Sequence, residues 1–222
     1  MVAGGQKSEE CKTMPDNKCK ICRRLGVKLF LRGEKCLSQK CPMIRKPYPP
    51  GPKAKKRVRA LSEYGKELRE KQKLKNWYNL EERQFRKYVK EILKARGKVV
   101  DAGAALIKTL ESRLDNVVFR LGFASSRAAA RQMVSHRHFM LNDKPINIPS
   151  YLVRKGDKIS INPSSAKKTI FQKLSPFLKK HNPPSWLKLD VKNLEVKVID
   201  SPNLEEAAPS AELSSIFEFY SK

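Results

Sequence analysis

Apolar residues recur at helical spacing in three stretches of the chain. Phe85, Tyr88, Val89, Ile92 and Leu93 fall on one face of a helix. Leu106, Leu110, Leu114, Val117, Val118 and Leu121 follow the same period. Ala130, Met133 and Val134 form the inward side of a shorter helix starting at Ser125 or Ser126, where a serine oxygen caps free backbone N–H groups. An earlier polar helix starts at Ser62 and breaks at Asn76 to Asn79. Gly122 suits a helix end. Phe139-Met-Leu141 and Lys158-Ile-Ser-Ile161 read as strands, with turns at Asn142-Asp143 and Lys155-Gly156-Asp157. Trp186 to Val191 and Leu194 to Ile199 alternate in strand fashion. Residues 163–185 read as a basic, proline-bearing linker, and residues 1–18 lack periodicity. The pattern predicts an α+β chain, mainly helical.

Charge then narrows the partners. The chain has 222 residues, 48 of them Lys or Arg against 22 Asp or Glu, for a net charge of +26. Such a surplus repels itself and is normally neutralised by a polyanion, with nucleic acid the default. A membrane surface is the weaker alternative, because no apolar run approaches spanning length. Met1 to Glu10 has no apolar core of a secretory signal, so a cytoplasmic protein with reduced thiols is expected.

The basic residues are concentrated. From Lys53 to Lys98 there are 17 basic and 6 acidic residues. Arg57 and Arg59 lie in a positive run after the stiff segment Lys46-Pro-Tyr-Pro-Pro-Gly-Pro52. Arg69, Lys71 and Lys73 lie on the Ser62 helix, and Arg83, Arg86, Lys87, Lys90 and Lys94 on the next. Ion pairs to Glu67, Glu70 and Glu82 account for some of these, and the excess points to phosphate. Tyr64, Trp77 and Tyr78 could stack on bases, but at this spacing they read first as core. On the helix after Ser126, Arg127, Arg131 and Ser135 recur every fourth residue, and the following turn adds His136 and His138: a row of donors on a stiff element. Asp115 reads as a partner for a nearby arginine or a backbone cap. The tail from Asp200 is acidic, which suits packing on the basic helices or on a basic neighbour rather than on RNA.

Four cysteines suggest a metal. Cys19-x-x-Cys22 is followed, after thirteen residues, by Cys36-x-x-x-x-Cys41. Four thiolates suit a closed tetrahedral zinc site, structural rather than catalytic, and would equally accept a 4Fe–4S cluster. Lys20, Arg23 and Arg24 would favour the thiolate form. Disulfides or unrelated buried thiols are the competing readings. Cys11 is left over.

The run from Arg113 to Arg127, RLDNVVFRLGFASSR, resembles the opening of the S-four RNA-binding domain. Ile148-Pro-Ser-Tyr151, Ser62 to Leu74, Leu80 to Arg86 and the ending Glu218-Phe-Tyr-Ser-Lys222 extend the likeness to the bacterial-type S-four family of small-subunit ribosomal proteins. That resemblance implies a metal knot at 1–47 and a basic helical rRNA-binding domain at 48–98, completed by 186–222. It further implies a small α-L (S-four) RNA-binding domain at 99–172, then a linker, short strands and acidic tail at 173–222. It implies an RNA face of Arg113, Arg120, Ser126, Arg127, Arg131, Ser135, His136, His138 and Tyr151, and zinc on Cys19, Cys22, Cys36 and Cys41. The implied role is a non-catalytic constituent of the small subunit that binds 16S-type rRNA early in assembly. It would line the mRNA entry channel beside ribosomal protein S-three and affect decoding accuracy through S-five. The chain departs from the family at Pro52-Lys53-Ala54, where a Gln-His-Gly stretch is common, and at Arg137 and Asp143, where glycine is common. An RNA-modifying enzyme or a stress-type RNA-binding protein would carry the same module. No phosphate-cradling glycine loop or nucleophile–base pairing supports the former, and the cysteines and acidic tail oppose the latter.

Overall fold

The computed structural model describes residues 17–51, 60–95, 101–172, 174, 178, 181–190 and 194–221. Arg57, Arg59, Cys11 and the Pro52-Lys53-Ala54 departure lie outside them. Three small helices open the described chain: α1 (Asn17–Leu25), α2 (Glu34–Leu37) and α3 (Pro42–Arg45). Their apolar contribution is slight, with Cys22, Leu25 and Leu29 buried and Trp77 packed against them from the next domain.

The helical domain follows. The Ser62 hydroxyl accepts from the Gly65 N–H at 3.3 Å and starts α4 (Glu63–Trp77). Asn79, with φ +53°, breaks the chain before α5 (Glu82–Lys94). Phe85, Tyr88, Val89 and Ile92 turn inward from α5. The core they join includes Leu106, Ile107 and Leu110 of α6 (Ala102–Glu111), a correction to the sequence division, which places them in the S-four module. It also takes Ala207 from α11 (Leu204–Ala207) and Ile216 and Phe217 from α12 (Leu213–Ser221). The acidic tail is thus fastened by its apolar face.

The second domain is built on α7 (Leu114–Arg120), α8 (Arg127–Ser135) and a five-stranded antiparallel sheet. The Ser126 hydroxyl caps α8 by accepting from the Ala129 N–H at 3.3 Å. The strands are β1 (Phe139–Leu141), β2 (Lys144–Ile146), β3 (Lys158–Ile161), β4 (Leu187–Asp190) and β5 (Glu195–Val198), in the order β2-β1-β3-β5-β4. Asn142 and Asp143, both with positive φ, form the β1–β2 turn. The expectation that 186–199 completes the helical domain is corrected here. β5 pairs with β3 in the register Ile159↔Val196, which puts Val196 and Val198 on the buried side with Ile159 and Ile161. Alternation drives this pairing, because a slip of one residue would expose both valines. The expected linker also contributes, since Phe171, Leu178 and Trp186 are buried in the same core. Two short helices, α9 (Pro163–Ala166) and α10 (Thr169–Gln172), lie within it. Among the described residues no helix is long and apolar enough to cross a membrane.

Candidate nucleic-acid interface

Two of the described elements bear on the expected RNA face with cations turned outward. On α5, Arg83, Arg86, Lys87, Lys90 and Lys94 are all exposed, opposite the buried Phe85, Tyr88, Val89 and Ile92. Arg83, Lys87, Lys90 and Lys94 follow at steps of four, three and four, so they form one row. Only Lys87 has a carboxylate partner among the described residues, Glu91 at 3.8 Å. A rigid, core-anchored helix with an unneutralised row is suited to phosphate contact. The second element is the end of α8, where Ser135, His136 and Arg137 are exposed.

The other residues implied as an RNA face are placed differently. Arg113 is 1 % exposed. Its guanidinium forks onto Asp115 at 3.1 and 2.8 Å and donates to the Tyr88 hydroxyl at 2.7 Å, so it ties α7 to α5. Burial lowers the Arg113 pKa, but the Asp115 hydrogen bonds and charge outweigh it and hold the group above the ordinary range. Arg131 donates to the same Asp115 carboxylate at 2.9 Å. The expected arginine partnership of Asp115 is therefore a double one.

A second network centres on Glu111, which sequence reasoning missed. Its carboxylate accepts from Arg120 at 2.9 and 3.0 Å, from the Tyr78 hydroxyl at 2.6 Å and from the Asn116 amide at 2.7 Å. Burial raises the Glu111 carboxyl, but the Arg120 hydrogen bonds and charge, with Tyr78 and Arg127, bring it below the ordinary glutamate range. Tyr78 is pushed well up, by burial and then by Glu111. Arg120 also donates to the Ala207 carbonyl at 3.2 Å, reaching the C-terminal segment.

Arg127 belongs to this junction too. It is 9 % exposed, donates from Nε to Asn116 at 2.8 Å, and lies over the rings of Phe119, Trp77 and Tyr78 at 4.5, 4.6 and 5.0 Å. Burial lowers its pKa to about 10, still charged at neutral pH. Helical spacing alone puts Arg127 on an open row with Arg131 and Ser135. The structure covers that end of the row with the aromatic end of α4. Trp77 is half-buried and Tyr78 buried, whereas Tyr64 is exposed and packs on Phe219 at 5.4 Å.

The remaining residues divide between the two settings. His138 is buried, with Nδ1 at 2.8 Å from the Ser165 hydroxyl. Tyr151 is half-buried, and its carbonyl accepts from the Leu114 N–H at 2.8 Å. Lys71 is buried against Glu82 at 2.8 Å and the Phe219 ring at 4.4 Å. Lys73 pairs with Glu70 at 2.5 Å. Arg69 is half-buried, whereas Arg83 and Arg86 are open to solvent.

Cys19, Cys22, Cys36 and Cys41 line one small pocket, the last two and Cys22 buried. Burial raises the Cys22 thiol, a backbone hydrogen bond at Leu29 lowers it, and the neighbouring Cys36, Cys19 and Cys41 raise it again. The Arg32 N–H donates to Cys36 Sγ at 3.3 Å. The donor set suits a closed tetrahedral site. Among the described residues, however, no group of three or more His, Cys, Asp or Glu is itself arranged to hold an ion.

Comparison with known proteins accounts for the two domains. The ribosomal protein S4/S9 N-terminal domain matches residues 14–111 and the S4 domain residues 112–159. Small ribosomal subunit protein uS4 of Caldicellulosiruptor bescii is 48% identical over 204 residues, 92% of this chain and 96% of that one. The uS4 of Thermus thermophilus is 44% identical over the same shares, and that of Dictyoglomus turgidum 46% over 95% of this chain and 98% of its own. The chain belongs to the small ribosomal subunit protein uS4 family. This is a structural, non-enzymatic family, which removes the RNA-modifying alternative. The boundary between the two uS4 matches falls at the end of α6, where the helical core gives way to the sheet domain.

Proposed function

We propose that this protein is a non-catalytic constituent of the small ribosomal subunit that binds small-subunit rRNA. The full-length likeness to proteins named for that subunit supports the assignment. The observation that carries the RNA contact is the open cation row on α5, rooted in the core by Phe85, Tyr88, Val89 and Ile92. Long-range attraction brings the protein to folded rRNA, and the fixed helix sets its register on phosphates. Arg113, Arg120 and Arg127 act one step back, locking the helical and sheet domains into one surface. A primary role in subunit assembly, a place along the mRNA entry channel and an effect on accuracy beside ribosomal proteins S-three and S-five rest on the family resemblance.

We further propose that Cys19, Cys22, Cys36 and Cys41 hold zinc, with a 4Fe–4S cluster as the alternative. The four thiols facing one pocket in a segment of slight apolar core support this reading. An ion there would supply folding free energy, on the order of 10 kcal/mol in small zinc modules. Elemental analysis together with visible absorbance separates zinc from the cluster.

The RNA reading is tested by titrating rRNA transcripts with wild type and R83E/K90E across a salt series. The expected slope of log K against log salt is steep, and shallower by about 2 in the variant, at ~0.9 per phosphate contact. A flat wild-type response would remove the proposal.

A further inference from the structure

Arg137 has a backbone that arginine rarely adopts. Its φ is +57°, in the left-handed region that strains a side-chain-bearing residue and costs glycine almost nothing. The surroundings impose this conformation. The Arg137 N–H donates to the Val134 carbonyl at 2.9 Å, closing α8. Its own carbonyl accepts from Asn162 Nδ2 at 3.3 Å. The next residue, His138, is buried and held to Ser165, and its carbonyl accepts from the Asn162 N–H at 2.9 Å. The main chain is clamped on both sides while the Arg137 side chain stays exposed.

The tip around it is cationic. Ser135 and His136 precede it and are exposed, and the exposed Lys168 follows Ser165, the partner of His138. The His136 and His138 rings lie 5.9 Å apart, and the Lys168 N–H donates at 2.9 Å to the carbonyl of Ser165, whose hydroxyl meets His138. No carboxylate lies within ion-pair distance of Arg137, His136 or Lys168 among the described residues. One cation near the end of α8 answers its partial negative charge. Lys168 could do that without a strained residue. The clamp also needs nothing from the Arg137 side chain, so the fold alone would be better served by glycine.

We propose that Arg137 is a phosphate-contacting residue for rRNA, held outward by its left-handed backbone at a tip completed by Ser135, His136 and Lys168. The inference rests on the RNA-binding reading above and adds a contact that α5 does not supply. A guanidinium in this setting offers a planar fork of donors to a phosphate.

Three substitutions separate charge from strain. R137K keeps both, R137A keeps the strain without the charge, and R137G removes both. In rRNA titrations across a salt series, R137A and R137G are expected to lose about 0.9 of slope while R137K keeps it. In thermal melts of the free proteins, R137G is expected to rise by about 2 °C or more, and R137A is not. R83E/K90E is measured alongside. If it weakens binding while R137G and R137A bind like wild type with an unchanged slope, the Arg137 proposal is overturned and the RNA reading stands. If wild type itself shows no salt dependence, the RNA reading fails first.

Discussion

The buried carboxylate of Asp115 gives the sharpest quantitative expectation. It accepts from Arg113 at 3.1 and 2.8 Å and from Arg131 at 3.1 and 2.9 Å. The Asp115 and Arg113 side chains are 6% and 2% exposed, whereas Arg131 is 28% exposed and can turn back into solvent. D115N preserves the shape but removes the charge, and it turns an amide NH₂ toward guanidinium donors. Arg113 is then a buried cation with no counter-charge of its own, its acceptors reduced to the one amide oxygen and the Tyr88 hydroxyl at 2.7 Å. Removing one partner of a buried ion pair costs about 3–5 kcal/mol. At roughly 2–4 °C per kcal/mol for a chain of this size, the melting midpoint should fall by about 6–20 °C. Urea unfolding followed by tryptophan fluorescence measures this in both domains, because Trp186 sits in the sheet core and Trp77 beside the helical one. Both signals should shift together, since Arg113 spans the two. R113M/D115L, which removes both charges, should be more stable than D115N. A D115N loss below about 1 kcal/mol would refute the claim that this pair holds the junction.

Further expectations concern the same junction and its neighbour. Gly33 has φ +59°, and a Cβ there would lie 2.5 Å from the Ser125 carbonyl oxygen, so G33A should cost at least ~1–3 kcal/mol and expose residues 17–51 to protease; unchanged stability and proteolysis would contradict the close approach. Glu111 has a folded pKa below its unfolded value, so its contribution is present above pH ~4.3 and is lost as pH falls through the depressed folded value. E111Q should therefore be less stable at neutral pH and lose less between pH 5 and 3 than wild type, as pH-dependent melts would show; parallel curves would contradict it.

Much of the fold was legible because its signals are local. Ser62 and Ser126 cap the helices as their spacing predicted, and the apolar faces of α5 and α7 turned inward. β2 was missed because Pro145 argues against a strand, yet β2 is an edge strand, where a missing N–H donor is tolerated. The allocation of 186–199 failed because strand pairing is non-local. Alternation shows that a strand has an apolar face but not which sheet completes it. The arginines misled for a related reason. Periodicity says which residues share a helix face, not what covers it, and Arg127 meets Trp77, Tyr78 and Phe119. A signal was available in Glu111, Asp115 and Asn116, acids and an amide amid basic sequence, already marked by the expectation that Asp115 meets an arginine. On α5, the full row was legible from spacing, because among the described residues no other element covers that side.

The central claim is that this cation surplus, mounted on two interlocked domains, serves the small ribosomal subunit. Sedimenting a cell lysate through a sucrose gradient and probing each fraction for this chain tests it most directly. The account predicts co-migration with the small subunit at low salt. Accumulation with the large subunit alone, or at the top of the gradient under those conditions, would contradict it.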